Sequence, residues 1–128
     1  MLRRVALRAD VWLRGALTPA EVTSAAARLR DLGAAAGRPA PRINLGVHCV
    51  LGEDPEDRAD REKMIRTLGE FFEMTPEQVA AVTITGTPEQ AAARILDFAA
   101  ADQISLGFDG RNYLRQLDLL AEVRALLS

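Results

Sequence analysis

His48 is the only imidazole in this 128-residue chain, and imidazole is the side chain that exchanges protons nearest neutral pH. It lies in the run Ile43-Asn44-Leu45-Gly46-Val47-His48-Cys49-Val50-Leu51. There it could donate a proton, hydrogen-bond a cofactor ring atom or a phosphate, or serve as a hydrogen-bonded core residue. Trp12 could pack on a planar cofactor or fill core space. Arg14, directly after a short strand, could hold an anionic group through its planar fork, or lie on the surface. Asp109-Gly110 stands where loops of α/β folds carry active sites, although Asp-Gly is first of all a turn signal. One histidine and one cysteine cannot build a His/Cys zinc set, so no metal is expected. No nucleophile-base spacing, Walker-type loop or GxGxxG is present, so spacing assigns no catalytic residue.

The elements that must position these groups are marked by their starts. Thr18-Pro19-Ala20-Glu21, Thr75-Pro76-Glu77-Gln78 and Thr87-Pro88-Glu89-Gln90 each set a threonine hydroxyl at the N-cap, proline at the first helical position and a side chain able to reach back. Asp54-Pro55-Glu56 opens another helix. Gly86-Thr87-Pro88 could offer bare amides to a phosphate, but the Thr87 hydroxyl is expected to occupy them. The spacing predicts a short first helix over residues 2–9, a brief strand over 10–13, and a helix from Thr18 ending near Gly33 or Gly37. Ile43 to Leu51 alternates with a two-residue period and is the clearest strand. Val82 to Gly86 reads as a crossover into the helix after Thr87, followed by a strand at Gln103 to Phe108. The last helix starts near Asn112 and carries Leu114, Leu117, Leu120, Val123 and Leu127 at core spacing.

Asn44, Gly46 and His48 share one strand face, as do Gln103, Ser105 and Gly107, whereas strands buried on both faces read as continuous apolar runs. In a closed barrel that face would line the lumen, near whose C-terminal mouth sites are built. In an open three-layer sheet it would be solvated.

The chain is 48% hydrophobic, enough for one core and one domain over residues 1–128. Its net charge of -2 supplies no broad positive field, so no nucleic-acid partner is expected. Of the sixteen Lys and Arg residues, all but Lys63 are arginine. They alternate with Asp31, Asp57, Asp60, Glu62, Asp97 and Asp118 and read as a solvated helix surface. Cys49, the only cysteine, is expected to be a buried, unreactive thiol, which fits a cytoplasmic location. No apolar run suits a membrane span or a signal peptide.

Leu2-Arg3-Arg4-Val5-Ala6-Leu7-Arg8-Ala9-Asp10-Val11-Trp12-Leu13, then Thr18-Pro19-Ala20-Glu21 with its helix to Ala36-Gly37-Arg38, then Gly86-Thr87-Pro88-Glu89-Gln90 and Ala101-Asp102-Gln103-Ile104-Ser105-Leu106, resembles the luciferase-like monooxygenase family over nearly the whole chain. The order and spacing of these degenerate motifs carry the resemblance. It implies the α/β fold of a partial (β/α)8 TIM barrel, corresponding to the C-terminal portion, with about three parallel strands and flanking helices. It also implies FMN or a deazaflavin coenzyme as cofactor, a small-molecule substrate, and Trp12, Arg14 and His48 as cofactor-pocket wall. Two exchanges depart from the family pattern. Asp10-Val11-Trp12 stands for the usual Asp-Gly-Trp, and Ala100-Ala101-Asp102 for Gly-Ala-Asp, each favouring ordinary backbone geometry over a glycine-permitted one. A complete barrel needs about 250 residues and eight strands, and the family's glycine-rich phosphate anchor lies before the segment matching Leu2. A partial barrel exposes strand edges. The expectation is therefore an oxidoreductase portion inactive alone, or a non-catalytic half-barrel that forms a homo-oligomer or completes a partner subunit.

Overall fold

In the computed structural model, which describes residues 1–128, each of the three Thr-Pro helix starts is closed by a reciprocal cap. Thr18 Oγ1 accepts from the Glu21 amide at 3.2 Å while Glu21 Oε1 accepts from the Thr18 amide at 2.9 Å. The same exchange joins Thr75 with Gln78 and Thr87 with Gln90, which satisfies donors that a helix start leaves bare. At Asp54 the return bond comes from Asp57, whose carboxylate accepts the Asp54 amide at 3.1 Å.

Six helices and four strands result: α1 (Leu2–Arg8), β1 (Val11–Gly15), α2 (Pro19–Ala35), β2 (Arg42–Leu51), α3 (Pro55–Phe72), α4 (Pro76–Ala81), β3 (Ile84–Gly86), α5 (Pro88–Asp97), β4 (Gln103–Phe108) and α6 (Tyr113–Leu127). The strands form one sheet in which β2 pairs with each of the others. β1 runs parallel along Arg42 to Gly46 and β3 parallel along Cys49 to Leu51. β4 runs the same way, since the Asp102 amide donates to Ile43 O at 2.9 Å and the Asp109 amide to Cys49 O at 3.1 Å. Three strands are expected from the sequence and four are present. The fourth, β3, is too short for a period to show, and Gly86 ends it at φ +107°, where a Cβ would strike Gln90 and break the cap of α5.

The chain divides into two compact units, Met1–Gly46 with Phe98–Ser105, and Val47–Asp97 with Leu106–Ser128. In the first, Val22, Ala25, Ala26 and Leu29 of α2 are buried as their spacing requires, together with Trp12, Ile43 and Leu45. Asp102 docks the start of β4 on β2, accepting the Ile43 amide at 2.7 Å. Ser105 donates its hydroxyl to Asn44 Oδ1 at 3.1 Å, joining two of the polar positions expected to share a face.

In the second unit, Val50, Met64, Leu68 and Val79 form a buried cluster. Two expectations fail here, both through contacts made by α6 and the loop before it. Asp57 and Asp60 are buried rather than solvated, because the β4–α6 loop and α6 bring arginines to them. Arg115 Nη2 donates to Asp57 at 2.8 Å, and Arg111 Nε to Asp60 at 2.7 Å. Gln116, fully buried, donates Nε2–H to Leu51 O at 2.9 Å and accepts the Leu51 amide at 2.7 Å. These bonds turn α6 so that Gln116 and Val123 face inward, leaving Leu114 75% and Leu117 38% exposed where core positions were expected.

Candidate functional site

Along β2 the odd positions from Ile43 to Leu51 are all buried, while Gly46 and His48 are exposed. Strand alternation therefore presents the imidazole on the open face. The hydrogen bond from the Asp109 amide to Cys49 O places Asp109 beside the end of β2. Its carboxylate Oδ2 lies 2.7 Å from His48 Nδ1, with the imidazole 48% and the carboxylate 35% exposed. In the neutral ring Nδ1–H donates to the carboxylate, which leaves the Nε2 lone pair outward as acceptor or base.

Asp109 is held on a fixed loop. The Arg111 amide and Nε bond both oxygens of Asp60 at 2.9 and 2.7 Å, and Asn112 Oδ1 caps α6 by accepting the Arg115 amide at 3.1 Å. On the other side of β2 Cys49 is buried, and burial first, then the Asp109 charge, pushes its thiol up to about 12. A thiol so held is no nucleophile at neutral pH. The pair thus supplies a base and its orienting carboxylate without an attacking group, which suits positioning or proton transfer rather than acyl transfer. No group of three or more His, Cys, Asp or Glu side chains is disposed to hold a metal ion.

Of the three residues expected as cofactor wall, Trp12 and Arg14 belong to the first unit and His48 to the second. His48 stands on the open face of β2. Trp12 is in register with Ile43 and Arg14 with Leu45, both odd, buried positions of β2. Trp12 is itself buried, and with Arg14, Leu17, Glu21 and Arg28 it lines a separate hollow of about 600 Å³. Asp109 was not among those residues, since Asp-Gly read as a turn. The available signal was its position, immediately past the end of a strand parallel to the strand that carries His48.

Beside Asp109, a cleft of about 190 Å³ is lined by Asp60, Lys63, Thr67 and Arg111 over Met64 and Leu68. No helix is long and apolar enough to cross a membrane.

No family profile matches the chain, and no curated protein matches it by sequence. Solved structures do match by fold. An F420-dependent secondary alcohol dehydrogenase, solved with an F420-acetone adduct, superposes with a TM-score of 0.79 at 12% identity, over 99% of this chain and 46% of the other. The coenzyme F420-dependent tetrahydromethanopterin reductase of Methanopyrus kandleri gives 0.74 at 16% identity, over 100% and 48%. The EDTA monooxygenase of Chelativorans sp. BNC1 gives 0.67 at 14% identity, over 98% and 43%. The chain spans under half the length of each, a share compatible with the C-terminal portion expected from its motifs. It has the α/β fold, a parallel sheet with flanking helices, that part of each of these structures has, the fold of a partial (β/α)8 barrel.

Proposed function

We propose that this chain is the C-terminal portion of a luciferase-like oxidoreductase that uses FMN or the deazaflavin F420 on a small organic substrate. The fold supports the class, because the F420-dependent dehydrogenase and reductase and the EDTA monooxygenase share it. The observation that carries the reading is the His48–Asp109 pair, in the C-terminal half of β2 and just past the end of β4, toward the strand ends where enzymes of this architecture build their sites. The residues fit a planar ring system. Gly107, on the exposed side of β4, has nothing within 4 Å of the place a Cβ would take, so the backbone there is open to an approaching ring. His48 supplies a hydrogen-bonding edge. When bound, such a group supplies two-electron transfer to or from the substrate.

The chain's own part is to orient and to move a proton. Asp109 fixes the tautomer of His48, and His48 Nε2 accepts a hydrogen bond or takes a proton from the group that faces it. Arg14 could hold an anionic group in its own hollow, with Trp12 as apolar wall. The chain alone is proposed to be inactive or nearly so. Titrating FMN and F420 with the chain tests this reading. A shifted, saturable absorption spectrum that weakens in His48→Ala supports it, and an unchanged spectrum with both cofactors contradicts it.

The exposed apolar residues favour a second reading for assembly. Leu13 is 71% exposed on β1, and Tyr113 and Leu114 are exposed on α6. A homo-oligomer or a partner subunit would cover them, with or without catalysis. Mass in solution decides this point. A cytoplasmic location belongs to the same reading, supported by the buried free thiol of Cys49.

A further inference from the structure

We propose that the cleft between α3 and the loop after β4 binds a small anionic group, a carboxylate or a phosphate, independently of any redox role. Its walls are Asp60, Lys63, Thr67, Asp109 and Arg111, and its floor is the apolar surface of Met64 and Leu68. At about 190 Å³ it has room for such a group and a few further atoms.

The charges in the cleft are unevenly compensated. Both oxygens of Asp60 are taken by Arg111, through Nε at 2.7 Å and the backbone amide at 2.9 Å. Oδ2 of Asp109 is taken by His48 at 2.7 Å. Lys63, the chain's only lysine, has no ion pair or hydrogen bond. The ammonium is thus the cation of the cleft without a partner, and it attracts an anion to its own end of the cleft. Thr67 follows four residues later on α3, on the same helix face, and adds a hydroxyl donor. Arg111 spends Nε on Asp60 while its side chain stays 63% exposed, so its terminal nitrogens remain available as donors. The oxygens of Asp109 oppose an anion. An anion seated here therefore lies toward Lys63 and Thr67.

Asp109 borders both the cleft and the imidazole, so a bound anion changes the field at His48. As the only histidine, His48 gives unambiguous ring signals in nuclear magnetic resonance. The test is to titrate inorganic phosphate, and separately acetate, into the labelled full chain at constant ionic strength, with chloride as control. The expected result is a saturable shift of the His48 ring and the Lys63 amide with phosphate or acetate and not with chloride. Tighter phosphate binding identifies a phosphate source for the natural ligand, and comparable acetate binding a carboxylate. Lys63→Ala should weaken binding about fivefold, as for one partly exposed ion pair, while Lys63→Arg retains it and Thr67→Val weakens it less. Shifts that grow linearly as in chloride, or equal affinity in wild type and Lys63→Ala, would overturn the proposal. Flavin binding is read separately by the absorption spectrum, and Lys63→Ala is expected to leave that spectrum's shift in place, so failure here and failure of the redox reading are distinguishable.

Discussion

Asp109 Oδ2 and His48 Nδ1 lie 2.7 Å apart across 61 positions of sequence, joined because β4 runs parallel to β2 and ends beside it. Neither residue carries the arrangement alone. Together they make an oriented imidazole at the end of the sheet where α/β enzymes do their chemistry.

The first prediction concerns that orientation. In the wild-type chain, neutral His48 carries its proton on Nδ1, whereas a free imidazole favours Nε2. Asp109→Ala should return the ring to the Nε2–H form, and nitrogen chemical shifts of the ring read this directly. An unchanged tautomer in the variant would show that Asp109 does not fix the ring.

The second concerns Gln116, whose amide group pairs both backbone groups of Leu51 at 2.7 and 2.9 Å in a fully buried position. Removing it leaves a buried donor and acceptor without partners, which costs about 2 kcal/mol or more. Gln116→Ala should lower the urea midpoint accordingly, and Gln116→Leu should not recover it, because volume is not what is lost.

The third concerns acid. Arg115 holds the Asp57 carboxyl below its ordinary value of 3.8, against the upward pull of burial. A carboxyl depressed in the folded state binds protons more readily when unfolded. Its contribution is complete above the unfolded value and is lost as pH falls through the folded one. Asp57→Asn should lose about 1 to 2 kcal/mol at pH 7. It should also show a shallower decline than wild type below about pH 4 in urea midpoints. Parallel declines would contradict the assignment.

The fourth contrasts neighbours at one helix start. Thr87→Ala removes the cap of α5 and should cost about 1 kcal/mol. Gly86→Ala should cost more, since it strains a backbone at φ +107° and drives a methyl into Gln90. Thermal denaturation of the two variants gives the order.

The fold was legible where local chemistry writes it. The three Thr-Pro starts, the alternation of β2 and the α2 stripe at Val22, Ala25, Ala26 and Leu29 all depend on near neighbours, and all hold. What sequence could not show was long-range pairing. Asp57 and Asp60 looked solvated because their arginines lie more than fifty positions away. The leucines of α6 looked like core because nothing nearby revealed that Gln116 would claim the inward face. Asp109 looked like a turn because its partner is a strand away. The burial of Trp12 follows from its register with Ile43, a partner thirty-one positions away.

The most direct test of the account is to map where FMN and F420 touch the chain, by amide and ring signals in nuclear magnetic resonance, which report weak occupancy that activity does not. Saturable shifts are expected at the His48 ring and at the Gly107 and Asp109 amides with at least one of the two cofactors. Binding that leaves those signals still while others move, or no binding by either cofactor, would contradict the account.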